Sequence, residues 1–442
     1  MFYYHFGLAV RSLKRNVLLT SLMVAAIGVG IGASMTTLTL FRAMSADPIP
    51  DKSSRLFTPQ IDVWGKVKSQ TAPDEPDKLP TQLTYTDAVG LMDAHPAFRQ
   101  TAMYAIDLGL APSNPRLQSF QVHARAVYRD FFAMFEVPFQ YGDAWAVGDD
   151  RAHSQVAVIT RALNDKLFAG TNSVGQTLRL NNQSYRVLGV LDRWQPLPRF
   201  YDLEDKHQFG KTEDVFLPLT RALESHLDSA GGINCSGNSN LQSGWDGLLR
   251  SECVWLQFWV ELDNSADALR YRQFLANYAA EQQRSGRFRW LPLTQLRDVR
   301  QWLAYSHVVT NEARLLVVVS FSFLLVCLLN AMGLMLAKIM GRARDIGVRR
   351  ALGASRRTIV AQCLIEAAVV GIVGAFLGLA LTLVGLWGLR SLLSERVAGL
   401  AHLDMTDITA AVVLALAAAV IAGLYPTWRA SRVQPAWQLK AQ

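Results

Sequence analysis

The sequence predicts a membrane protein: four transmembrane α-helices, both termini in the cytoplasm, and a large α+β extracytoplasmic domain between the first two helices. Three observations carry this. Apolar residues gather in four runs, 17–41, 315–337, 359–389 and 408–424, each approaching or exceeding the ~20 residues a helix needs to cross ~30 Å of hydrocarbon. Basic residues flank these runs on alternate sides, as orientation in a membrane requires. The long stretch between the first two runs mixes period-2 and helical patterns, as a soluble α+β domain does.

The first run follows Arg11, Lys14 and Arg15. A cleavable signal peptide is its competing reading, with 43–45 as a passable cleavage site. An apolar length of roughly 25 residues, against 7–15 for a signal peptide, favours a retained helix. Residues 38–44 are expected to prolong it, up to the breaks at Pro48 and Pro50.

Within the external stretch, 156–159 reads as a buried strand followed by a helix. Residues 174–194 alternate on both sides of Asn181-Asn182, the pattern of a β-hairpin whose turn dipeptide tolerates positive φ. Residues 254–262 read as another strand, and 265–283 as an amphipathic helix opened by Ser265. Residues 66–82 and 201–214 read as exposed loops. Residues 293–316 hold neither Gly nor Pro. They are expected to form a helical stalk running without a break into the second membrane helix, a stiff rod rising 1.5 Å per residue.

Chemistry is sparse in this domain. It has no Gly-x-Ser-x-Gly elbow and no His-Glu-x-x-His, and its histidines, among them His95, His123, His153, His226 and His307, are scattered as surface or packing residues are. No catalytic residue and no metal site is assigned. Cys235 and Cys253 lie in a Gly/Asn/Ser-rich stretch, where an oxidising compartment would let them pair and close a loop. Two unpaired thiols are the alternative. Cys327 and Cys363 fall in apolar runs and read as small hydrophobes.

In the membrane runs, Gly28 and Gly32, and Gly374 and Gly378, are spaced to place small residues on one helical face for close packing. Frequent Gly is also an ordinary property of membrane helices. Glu366 is an ionisable group inside an apolar run, a functional suspect by default. Arg356 and Arg357, about two turns away, are its expected ion-pair partners at the interface.

The net charge of +8 would point to nucleic acid in a soluble protein. Here the cations flank membrane runs, so no nucleic-acid partner is implied. The densest cluster, KIMGRARDIGVRRALGASRRTIV at 338–360, joins the second run to the third. Read alone, it is a topology signal, a membrane-surface helix or a docking surface. Ile346, Val348, Leu352 and Ile359 are apolar points on a basic surface, and Gly353 would interrupt a helix.

The stretch RARDIGVRRALGASRRTIVAQCLIEAAVVGIVGAFLGLALT closely resembles the signature of the FtsX/MacB-type permeases of ABC transporters. Asp345 stands where Glu is usual. The ending AGLYPTWRASRVQPAWQLK resembles that family's tail. The start looks like its amphipathic lead helix and first span, and SQVAVITRALNDKLFAGTNSVGQTLRLNNQSYRVLGVL resembles its MacB-like periplasmic core domain. Residues 231–253 find no counterpart. The resemblance implies a division into a cytoplasmic lead helix 1–16, transmembrane helix 1 with its stalk 17–44 and a periplasmic core 45–292. Next come a stalk and helix 2 at 293–337, a cytoplasmic coupling loop 338–358, helix 3 at 359–389 and an external loop 390–407. Helix 4 at 408–426 and a cytoplasmic tail 427–442 complete it.

The resemblance also implies a role. The permease would dimerise with a second copy or a paralogue in the bacterial inner membrane and bind a separate ATPase. That ATPase holds ATP and Mg, and this chain holds no cofactor. The coupling residues would be Arg344, Asp345, Ile346, Gly347, Arg349, Arg350, Ala351, Leu352, Gly353 and Ala354. The sequence contains no Gly-x-x-x-x-Gly-Lys-[Ser/Thr] phosphate loop, so it is expected to be no enzyme, a split version of MacB, whose ATPase is fused ahead of the first span. Movement would pass through the first two helices to the periplasmic domain, exporting a drug, peptide or other amphiphile. A membrane-fusion adaptor and an outer-membrane channel are further partners the resemblance allows. A lipoprotein-releasing permease of the LolC/LolE branch is the nearest alternative. A membrane-anchored receptor or enzyme is the alternative from another class.

Overall fold

The computed structural model of the chain describes residues 16–65, 79–203, 208–210, 212–235, 244–342 and 355–392, with isolated positions beyond them. These form two units, one containing Met1–Ser45 and Val309–Gln442, the other Ala46–Val308. In chain order, α1 (Val17–Met44) leads into β1 (Leu56–Ile61), β2 (Leu83–Thr84), α2 (Tyr85–Ala94), β3 (Arg99–Ala111), β4 (Phe120–Val127) and α3 (Asp130–Met134). Then come β5 (Phe139–Gly142), α4 (Val147–Arg151), β6 (Val156–Ile159), α5 (Arg161–Phe168), β7 (Thr177–Leu180), β8 (Gln183–Leu191), β9 (Val215–Pro218) and α6 (Leu219–Glu224). The run closes with α7 (Trp245–Arg250), β10 (Val254–Glu261), α8 (Ser265–Arg284), β11 (Thr294–Asp298), α9 (Val299–Tyr305), α10 (Asn311–Met340) and α11 (Arg356–Leu392).

Among the described residues, three helices are long and apolar enough to cross a membrane: Val17–Met44, Asn311–Met340 and Thr358–Leu389. The expected fourth, at 408–426, lies outside the described residues but for isolated positions, as do the lead helix and the tail; of the external loop expected at 390–407, residues 390–392 end the third helix and the rest lie outside the described residues. The first helix runs to Met44, as expected, and closes where the Ser45 N–H donates to the carbonyls of Phe41 and Arg42. Its buried row, Met23, Ile27, Ile31 and Met35, recurs every fourth residue and packs with Leu324, Leu328, Ala331 and Met335 of α10 and Cys363, Ala367 and Val370 of α11. Leu18, Leu22 and Val29 of α1 face outward, where hydrocarbon would cover them.

In the second unit, β3, β4, β9, β6, β8 and β7 pair in a closed circuit, which leaves no free edge along that ring. The β4–β9 and β6–β8 pairs are parallel and the others antiparallel. The first half of β3 turns away from the ring to pair with β10, and β1 and β11 continue from there. Alternate side chains along β10 enter two cores, Phe258 and Val260 one, Trp259 the other. The first mixes aliphatic and aromatic side chains, and α8 packs on it through Ala268, Tyr271 and Leu275. The second is aromatic: Phe131, Phe132, Phe135, Trp145, Phe200, Phe216 and Trp259 meet mostly edge to face. The hairpin turn falls at Asn181 and Asn182, with φ of 44° and 62°.

Three expectations are corrected. Residues 293–316 are not one helix. Thr294–Asp298 is a strand paired with Phe57–Ile61, because edge pairing satisfies its backbone along β1. Asp298 then caps α9 in a reciprocal box with Gln301. That helix ends at Tyr305, His307 takes a φ of 50°, and Thr310 caps a new helix by accepting from Ala313 N–H. Second, the stretch 201–214 is not wholly exposed: Tyr201 and Glu213 are buried. So are Leu79 and Gln82 at the end of the other expected loop, whose residues 66–78 lie outside the described set. Third, Asn264, not Ser265, caps α8, its side chain accepting from Ala266 and Asp267 N–H.

Candidate functional site

The ten residues singled out for coupling, Arg344 to Gly347 and Arg349 to Ala354, lie outside the described residues. The two ends from which their loop springs are described. On one side, Lys338 lies in the last turn of α10, and Arg342 follows the Gly341 that closes it. On the other, Ser355 accepts from Thr358 N–H at 3.2 Å and opens α11.

Glu366, one of the few ionisable groups in the apolar runs, joins the two sides. Lys338 Nζ lies 3.5 Å from one of its oxygens and Arg342 Nη1 3.5 Å from the other. Lys338 and Glu366 are both buried. Arg356 and Arg357, the expected partners, have side chains outside the described residues. The partners seen come instead from the end of the preceding helix, Lys338 from its last turn and Arg342 from just past its cap. Lys338 was legible as a cation near a helix end, but nothing local tied it to Glu366, 28 positions on.

The glycines meet across α1 and α11. A Cβ added at Gly28 would lie 2.8 Å from Leu377, at Gly32 2.8 Å from Leu381, at Gly374 2.8 Å from Ile27 and at Gly378 2.8 Å from Ile31. On the other flank of α1, Ser34 Oγ donates to the Ser320 carbonyl at 2.9 Å and Thr37 Oγ1 to Ser320 Oγ at 2.7 Å. The first helix thus packs closely on α11 and is hydrogen-bonded to α10.

Among the described residues, the second unit holds ionic clusters that sequence reasoning missed. Arg125 is wholly buried; its Nε donates to Glu213 at 2.7 Å and its Nη2 to Asp202. Arg199 and Tyr201 also donate to Glu213. Burial alone would raise the Glu213 pKa, but Arg125 and Arg199 outweigh it and hold the carboxyl at about 2. Arg287 bridges Asp87 at the start of α2 and Glu252 beside Cys253. Near the first cluster's sheet, burial pushes Asp150 up to about 6 against hydrogen bonds from Arg129 N–H and Trp145 Nε1. A lone Arg in the alternating FQVHARAV was the available signal for Arg125. Cys235 and Cys253 are joined in a disulfide, their Cα atoms 4.2 Å apart, beside the Asn234–Val254 bridge.

The sequence profile of the MacB-like periplasmic core domain matches residues 20–273, and that of the FtsX-like permease C-terminal region matches residues 317–435. The chain belongs to the FtsX/MacB-type permeases of ABC transporters. Among related permeases, the macrolide export ATP-binding/permease protein MacB of Syntrophobacter fumaroxidans (strain DSM 10017 / MPOB) is 26% identical over 329 residues, covering 69% of this chain and 45% of its own length. MacB of Azoarcus sp. (strain BH72) is 22% identical over 439 residues, 98% of this chain and 59% of its own. The uncharacterized ABC transporter permease YvrN of Bacillus subtilis (strain 168) is 23% identical over 306 residues, 69% of this chain and 67% of its own. The chain therefore spans about half the length of the MacB proteins it matches. As a permease of this family it is a bacterial membrane protein with a periplasmic domain, and 317–435 contains the basic loop.

Proposed function

We propose that this permease converts ATP turnover on a separate ATPase subunit into movement of its periplasmic domain, and so exports an amphiphile such as a drug or peptide. The observation that carries the reading is the meeting of Lys338 and Arg342 with Glu366. It ties together the two helix ends from which the family's basic motif projects, so a load on the loop reaches both helices. In the cytoplasm, Ile346 and Leu352 fill an apolar groove on the ATPase, while Arg344, Arg349 and Arg350 meet acceptors around it. ATP and Mg sit on that partner. Both termini face the cytoplasm of the inner-membrane protein, a fourth helix crosses at 408–426, and a second permease copy completes the complex. A membrane-fusion adaptor and an outer-membrane channel receive the cargo.

The test is affinity purification of the tagged chain from its host, followed by an ATP-hydrolysis assay of what is recovered. The wild type is expected to bring down an ATPase. A double variant, Arg349→Glu with Leu352→Asp, is expected to lose it while keeping the wild-type unfolding temperature. Equal recovery with both chains would remove the coupling role of the loop.

A further inference from the structure

The helix α1 packs against both α10 and α11. Among the described residues, α10 and α11 do not pack along each other, yet their cytoplasmic ends meet at one buried carboxylate. We infer that Glu366 is a positioning residue for energy coupling: with Lys338 and Arg342 it forms a latch that fixes the base of the loop and makes α10 and α11 take up its displacement together. This rests on the coupling role proposed above.

Three features argue for a latch rather than a passive surface pair. Glu366 and Lys338 are 7% and 4% exposed, where water screens their attraction poorly. Both carboxylate oxygens are engaged, one by each cation, so the group is clamped in orientation as well as neutralised. Lys338 lies in the last turn of α10 and Arg342 directly follows its Gly341 cap, so displacing that helix end moves both contacts together. A glutamine cannot supply the negative charge that both cations face, while an exchange of charges between 338 and 366 can restore one attraction across the helices.

The experiment compares the full-length wild type with Glu366→Gln, Glu366→Asp, Lys338→Glu and the exchange Lys338→Glu plus Glu366→Lys, each purified with the ATPase that accompanies the wild type. Two quantities are read: ATPase recovered per permease, and ATP hydrolysis per recovered complex. Glu366→Gln is expected to keep ATPase recovery and lower hydrolysis by roughly 2- to 30-fold, the span seen when a coupling network is disturbed. Glu366→Asp and the exchange are expected to recover most of the rate, and Lys338→Glu alone is not. Wild-type hydrolysis in Glu366→Gln, or a charge exchange no better than its parent single variant, would overturn the latch. Failure of the wild type itself to recover an ATPase would instead overturn the function on which the latch rests.

Discussion

Two carboxyl groups in the periplasmic unit set its pH response in opposite directions. Asp150 has a folded-state pKa of about 6, raised by burial above its ordinary 3.8. Its contribution is complete below 3.8 and is lost as pH rises through about 6, because the ionised form is poorly solvated inside. Glu213 is held at about 2, below its ordinary 4.5, so its contribution is present above 4.5 and lost as pH falls through about 2. The unfolding temperature of the purified chain is expected to rise between pH 7 and about pH 5, by an amount equivalent to no more than about 1.4 kcal/mol. Asp150→Asn is expected to flatten that rise, and an unchanged slope would show that another group carries it. These residues were poorly legible in the sequence. Asp150 follows another Asp in a polar stretch, and only the fold brings Trp145 Nε1 to it. Arg125 likewise pairs with residues 77 and 88 positions away, a distance over which pattern reading has no purchase.

At the scale of elements, the seam between α1 and α11 is closely packed. Gly32→Leu would drive a side chain into Leu381 and the Gly378 carbonyl. A loss of about 1–3 kcal/mol is expected, the usual cost of overpacking, seen as a lower unfolding temperature of the membrane unit. The same change at Gly333, which has nothing within 4 Å of an added Cβ, is expected to be near neutral. The interrupted stalk gives a second prediction. At His307 the backbone is left-handed, so His307→Val should destabilise by about 1–2 kcal/mol and His307→Gly should not. Equal effects from Val and Gly would mean that the break is not conformationally required. Four histidines, His95, His153, His226 and His307, occupy such positive-φ positions at or just past helix ends. Sequence reading treated them as scattered because it looked for ligand spacing and not for helix termini. It also merged β11, α9 and the start of α10 into one helix. Their apolar spacing fits either structure, but Asp298 with Gln301, and Thr310 ahead of Ala313, were cap signals in plain view. The Asn181-Asn182 hairpin was legible because its turn is a local conformational requirement.

For the whole molecule, the division into a membrane unit and a periplasmic unit was legible because hydrocarbon thickness imposes a length that soluble helices seldom reach. The closed ring of six strands was not, since β4–β9 and β6–β9 join segments far apart in the chain. Both connections to the periplasmic unit are non-helical: α1 ends at Met44 ahead of the turns at 45–55, and α9 gives way to α10 across 306–310. The mechanism as a whole requires that the basic loop and the periplasmic unit lie on opposite sides of the membrane. The most direct measurement places single cysteines at Ser355, beside the loop, and at the exposed Leu269 of α8, and treats intact spheroplasts with a membrane-impermeant maleimide. Leu269→Cys is predicted to label at once, and Ser355→Cys only after the membrane is opened. Labelling of both from outside would contradict the entry of force from the cytoplasm.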